Sequence, residues 1–326
     1  MESVKIILDL IQKSVNNSNS VKPYIFKFET DVQVFRIHFQ TRNVLSGNYP
    51  HMGVTAREGI HVLYRISGTS QWFNVDAYSS RNSPVDVNMK YLAHAGEPYE
   101  ILIYGPVLSE IELLKIEVDD DSDITVLNNE ISNDILIVGG IHSLGIGCTA
   151  SGVMFSNILA RRFDKHFQNI SFNEENHLKA IYEKLDNYNL DKYDTIILEL
   201  DYIRQGNAVF DKYAKKVIKK LKSKCNNLIC WYAVPKSEAE KHSKLSEFGK
   251  KYSKKRNVSV LDLSFIYDEE HSEMCTHSKN YINDTGNIMI YKKLFEHISE
   301  NDKEPAKSNL NEKLRGLKNG ILKFNR

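Results

Sequence analysis

The stretch Asp134–Arg162, DILIVGGIHSLGIGCTASGVMFSNILARR, decides how this chain folds. It opens with Ile135, Leu136, Ile137 and Val138, turns through Gly139, Gly140, Gly145 and Gly147, and closes in a helix-period segment ending at Leu159 and Arg161. An apolar β-branched burst, a glycine loop and a helical period in that order predict strand, tight loop, helix. In an open parallel sheet such a loop lies at the carboxyl end of a strand, where helix N-termini and backbone amides converge and ligands bind. Residues 139–152 are therefore the first candidate site.

Downstream the same rhythm repeats. FQNISF, TIILEL, NLICWYAV and VSVLDL alternate with helical patterns through HLKAIYEKL, around Tyr213 to Lys224, around Ala239 to Lys251 and from Gly286 to His297. Short apolar strands separated by helices predict a doubly wound, three-layer α/β domain of about five parallel strands over residues 127–300. Upstream the period changes to two. FKFET, VFRIHFQT, GIHVLYRI, QWFNVDAY, YEILIYG and IELLKIEV, parted by LSGNYP, SGTS and SSRNSP, predict an all-β sandwich or jelly roll over residues 21–126. Trp72, Phe73, Tyr78 and Tyr104 can be read as a sugar-binding face or as core, and packing is the usual role of strand aromatics.

The DDDSD run at Asp119 to Asp123 lacks the glycine and terminal glutamate of an EF-hand and reads as a solvated linker. Residues 1–20 begin MESVKIILDLIQKS, without a basic start or cleavage site, and read as an amphipathic helix. The basic tail, 301–326, holds one short helical pattern, NLNEKLRGLKNGIL, and gets no role.

With 326 residues, 41% hydrophobic and 26% charged, the chain suits two cores rather than a membrane span. A net charge of +1 gives no global attraction to nucleic acid or membrane, and the lysine runs KKVIKKLKSK and KKYSKKR read as solvated helix faces. Cys148, Cys225, Cys230 and Cys275 show no CxxC pairing, which points to reduced thiols in the cytoplasm and to no zinc site. No cofactor motif is present; a homo-oligomer or a protein partner is left open.

The order of β domain then α/β domain, with GIGCTASG before ILARR, NISF, DTIILEL and YINDTGN, resembles the SGNH (GDSL-like) hydrolases that carry an N-terminal jelly roll with a GxDLY-type motif. The resemblance spans about Val34 to His297, and in GIHVLYR Val62 stands where that motif has aspartate. It implies an SGNH/flavodoxin-like sheet and hydrolysis of esters, commonly acyl groups on carbohydrates. The family's reaction uses a first-block serine, an oxyanion hole from that serine's amide, a second-block glycine and a third-block asparagine, and a DxxH base.

Carried onto this sequence, each of those positions is substituted. Ile141 occupies the nucleophile position; the second-block glycine falls in Ser171 to Glu174; the third-block asparagine falls at Tyr202 or Ile203; Ser278 and Tyr281 replace the aspartate and histidine. A phenol is a weak base at neutral pH. The expectation is a pseudoenzyme that retains a binding pocket for an acylated or carbohydrate-like ligand.

Reactive neighbours keep a rewired esterase or acyl-transfer enzyme open as the alternative. IHSLG, with His142 and Ser143, resembles a GxSxG elbow without its first glycine. Ser143 with His277, oriented by Glu273, has the residue types of a triad. Cys148 at a glycine loop can be read as a low-pKa thiol or as a packed one. Glu199 and Asp201, closing the third strand, can be read as ligand groups or as caps of the following helix. A structural partner role, with the β domain and tail docking on another chain, is a third reading.

Overall fold

The computed structural model describes residues 4–6, 25–42, 51–93, 96–119, 124–127, 131–174, 176–200, 207–277 and 281–300. The amino-terminal part holds β1 (Val4–Ile6), β2 (Ile25–Thr30), β3 (Val34–Arg42), the short helix α1 (Val54–Glu58), β4 (Gly59–Ile66), β5 (Phe73–Ser79), β6 (Val85–Asn88), β7 (Tyr99–Tyr104), β8 (Glu110–Asp119) and β9 (Ile124–Val126). They form two antiparallel sheets, ordered β1-β8-β3-β6 and β5-β4-β7-β2-β9. Phe28, Phe35, Ile37, Val62, Val87, Ile101 and Ile116 from both sheets fill one core, which makes this a sandwich.

The six strands read from the alternating pattern are all present. Val4–Ile6 corrects the expected amino-terminal helix: it pairs antiparallel with β8, an edge that offers backbone partners to any short apolar run. The remainder of residues 1–20 and the tail's helical pattern lie outside the described residues. Asp119 closes β8, and β9 after it still pairs with β2, so the β domain extends past the acidic run.

The second part runs β10 (Ile131–Gly139), α2 (Phe155–Arg162), β11 (His166–Ser171), α3 (His177–Lys184), β12 (Thr195–Glu199), α4 (Asn207–Lys222), β13 (Asn227–Tyr232), α5 (Ala239–Tyr252), β14 (Val258–Asp262), α6 (Ser272–Cys275) and a last helix, α7, over residues 284–300. The five strands are ordered β11-β10-β12-β13-β14, and every pairing is parallel. Leu136, Val138, Leu198 and Cys230 pack with residues of α3 and α4 on one face, while Ile137, Ile197, Ile229 and Trp231 pack with α2 and α7 on the other. Burial on both faces explains why these strands read as continuous apolar runs.

In α4, Phe210, Ala214, Val217, Ile218 and Leu221 face the core, which turns Lys212, Lys215, Lys216 and Lys219 to solvent. Lys220 and Lys224 pair with Asp186 and Asp191 at 2.6 and 3.0 Å. The lysine run is thus a solvated helix face. In a 2-1-3-4-5 strand order the ligand crevice lies at the carboxyl ends of the first and third strands, here β10 and β12.

Candidate functional site

Strand register sets four residues in a row across that carboxyl edge. Gly139 pairs with Ser171; the Val138–Leu198 pair brings Glu199 to the other side of Gly139; Glu199 pairs with Trp231. Ser171, Glu199 and Trp231 share the α2/α7 face because strand side chains alternate with period two. The gap at Gly139 is occupied by its neighbours: a Cβ there would meet the Ser143 hydroxyl and come within 2.6 Å of Glu199 Oε2.

Glu199 is fully buried and organises the loop above it. Its Oε2 accepts the Gly140 and Ser143 backbone N–H groups at 3.0 and 2.7 Å, and its Oε1 accepts the His142 N–H at 3.2 Å and His142 Nδ1 at 3.0 Å. Burial alone raises a carboxyl's pKa, but the hydrogen bond and charge of His142, the charge of His177 and a hydrogen bond from Ser143 outweigh it and hold Glu199 well below the usual carboxylate range. Beside it Ser171 Oγ donates to Asn169 Oδ1 at 2.5 Å, and Asn169 Nδ2 donates to the Ser143 carbonyl at 2.7 Å. The loop closes through Leu144 N–H to Gly140 O and Gly145 N–H to His142 O, with Gly145 and Gly147 at φ +78° and +112°, where side chains are strained.

The structure bears on four sequence readings here. Glu199 neither caps α4 nor faces solvent; it is the acceptor for the turn at 140–143. Ser143 is fully buried, with its hydroxyl turned inward over Gly139 toward Glu199. His277 is exposed, its backbone N–H on the Tyr281 carbonyl and its ring stacked on His51 with centroids 6.1 Å apart. Ser143 and His277 are not hydrogen-bonded to each other, and Glu273 is exposed on α6, so the proposed trio is not assembled. Cys148 is fully buried, and burial, with Asp284 adding to it, pushes its thiol well above its usual pKa. An unreactive thiol follows: in the native chain Cys148 is expected to resist iodoacetamide at pH 8 while it alkylates rapidly in urea, as peptide mass mapping would show; fast native alkylation would contradict it.

Ile141, which the resemblance sets at the nucleophile position, is 1% exposed. It lies in an apolar cluster with Met52, Ala56, Val107, Leu108, Leu144, Ile146, Cys148 and Met154, and half-buried Tyr281 rests against that cluster. Four of these residues come from the β domain, which covers the loop. Gly53 N–H donates to the Cys148 carbonyl at 3.3 Å and Thr55 Oγ1 to the Thr149 carbonyl at 2.7 Å.

A second latch sits at Gly152, whose N–H donates to His61 Nδ1 at 3.0 Å while His61 Nε2 bonds Asn74. Arg161 donates to the Gly152 carbonyl at 2.8 Å and to Tyr104 Oη at 3.2 Å. Tyr104 therefore belongs to the interdomain contact rather than to an open sugar-binding face. From α7, Asp284 accepts Thr149 N–H and Oγ1 at 2.9 and 2.5 Å, and Asn287 Oδ1 accepts the Phe155 N–H at 3.0 Å.

Among the positions the resemblance marks, Glu174 is exposed and paired with Lys184 at 2.8 Å. Asp201, Tyr202, Ile203 and Ser278 lie outside the described residues. The sequence reading missed His61, Arg161, Asp284 and the buried His177. Only Glu199 carried a signal, a charge inside a strand apolar on both faces.

Solved structures share this fold over most of the chain. A protein of Bacteroides ovatus ATCC 8483 classed as a GDSL-like lipase matches at 18% identity and TM-score 0.65, over 85% of this chain and 83% of its own. The chain has the SGNH (GDSL-like) hydrolase fold. A family two carbohydrate esterase from Clostridium thermocellum, in complex with cellohexaose, matches at 10% identity and TM-score 0.55 over 86% and 93% of the two chains. The salicylyl-acyltransferase SsfX3 from a tetracycline biosynthetic pathway matches at 14% and TM-score 0.51 over 85% and 82%. No protein-family model and no curated protein matches the sequence. Within this SGNH fold, no group of three or more His, Cys, Asp or Glu side chains among the described residues could hold a metal, and no described helix is long and apolar enough to cross a membrane.

Proposed function

We propose that this chain binds an acylated or carbohydrate-like small molecule in an SGNH fold that no longer hydrolyses esters. The observation that carries the reading is Ile141: the residue at the nucleophile position has no nucleophilic atom and is 1% exposed in an apolar cluster. The loop around it is committed to structure as well, since Glu199 takes the amides of Gly140, His142 and Ser143. Supporting the ligand class, one neighbour of the fold is an esterase in complex with cellohexaose, and another is described by an active site with divergent catalytic and non-catalytic binding functions. The four unpaired cysteines fit a reducing compartment, and we place the protein in the cytoplasm.

Purified protein is expected to show no labelling by a fluorophosphonate probe and no turnover of p-nitrophenyl acetate above buffer. Labelling at Ser143, with turnover abolished by Ser143→Ala, would refute the reading in favour of the rewired esterase. Alkylation-sensitive turnover lost in Cys148→Ala or His277→Ala would do the same.

A further inference from the structure

His177 is a buried polar residue to which neither the core nor the loop network gives a hydrogen bond. It is the first residue of the eight-residue helix α3, is 1% exposed, and neither ring nitrogen has a hydrogen-bond partner. A buried imidazole without partners loses its hydration with nothing in return, so such a group calls for a specific explanation. The helix start beside it has no side-chain cap: the Asn176 carbonyl takes the Lys179 and Ala180 N–H groups at 2.9 and 3.1 Å, but its side chain makes no cap hydrogen bond, so the His177 and Leu178 amides lack that acceptor.

The ring's direction follows from helix geometry. Cα–Cβ bonds tilt toward a helix N-terminus, so the side chain of the first residue projects past the amides toward the carboxyl edge of the sheet. It comes near enough to Glu199 for its charge to favour the ionised carboxylate. Glu199 itself is matched by His142 at 3.0 Å, which leaves the His177 ring able to face an incoming acceptor.

We propose that His177 and the amino end of α3 form a site for a small carboxylate group carried by the bound ligand. Imidazole N–H and helix-terminal amides are both donors, and the helix dipole adds its positive end. The assignment rests on the binding reading above and names the part of the ligand held there.

The test is thermal unfolding of the full chain in sodium acetate against sodium chloride at equal ionic strength, with His177→Phe and His177→Gln beside the wild type. Acetate should raise the wild-type Tm with the logarithmic concentration dependence of a single site, by roughly 2–4 °C at ten times its dissociation constant, and leave His177→Phe unmoved. An imidazole that is only an orphan would make His177→Phe the more stable protein in chloride. That result without a wild-type acetate shift, or an equal acetate shift in both proteins, would overturn the site.

Should His177→Phe fail to fold, the ring 13Cε1 signal of His177, identified by its loss in His177→Gln, must move with acetate; a stationary signal overturns the site. Ester turnover together with an intact acetate response would refute the non-hydrolytic reading and leave this site standing. No turnover and no acetate response would do the reverse.

Discussion

Glu199→Gln is expected to lower the melting temperature by about 10 °C, corresponding to roughly 3–5 kcal/mol, because it breaks a buried charge network while leaving its partners in place. The carboxylate has only acceptors, and four donors converge on it: the amides of Gly140, His142 and Ser143 and the His142 ring. An amide in the same space turns one of its two oxygens into a donor. Whichever way it is flipped, an N–H then faces either the Gly140 and Ser143 amides or those of His142. Unsatisfied buried donors are costly, and the loop loses the anchor that sets its shape. Circular-dichroism melts of the two proteins decide the matter; a variant within 2 °C of wild type would show that the loop does not depend on this charge.

The same network fixes the sign of the acid dependence. Glu199 ionises more readily in the folded chain than in the unfolded one, where a glutamate titrates near about 4.3. Its contribution is therefore complete above that value and is lost as the pH falls below it toward the folded-state pKa. Wild type should lose stability over that window more steeply than Glu199→Gln, so the difference between them shrinks on acidification.

The two-domain order, the six alternating strands and the five parallel ones were legible because burial leaves a period in the sequence. The turn after the first parallel strand was legible too, from the glycine spacing of residues 139–147. What escaped the sequence was partnership at a distance. Glu199 reads locally like a strand-end acid that caps the next helix, yet its acceptors point 56 to 59 residues back to the loop after β10. His61 reads as one polar position in GIHVLYRI, but that strand is buried along almost its whole length and the imidazole accepts an amide from the other domain. Ser143 reads as a reactive loop hydroxyl, and only the absence of a side chain at Gly139 explains why it folds inward.

That absence leads to the second large effect. Gly139→Ala is expected to cost roughly 2–4 kcal/mol, although alanine is among the mildest substitutions for a glycine. The new methyl would sit where the Ser143 hydroxyl now lies, 2.7 Å from Ser143 Cβ and 2.6 Å from Glu199 Oε2. None of these groups is the free end of a flexible chain: Glu199 is held by three amides and Ser143 by its own N–H and carbonyl. Relief thus requires moving the turn itself, and with it the apolar cluster around Ile141. Gly249→Ala in α5 supplies the contrast, because its Cβ would come no nearer than 3.3 Å to any neighbour, Val260 Cγ1, and a helix interior favours alanine. Urea unfolding should place Gly249→Ala within about 1 kcal/mol of wild type and Gly139→Ala well below it. Combining Gly139→Ala with Ser143→Gly should recover part of the loss, since it removes both Ser143 atoms in the way while keeping the backbone donor to Glu199. Strictly additive costs in that double variant would mean that the row across the carboxyl edge is not the coupled unit its register implies.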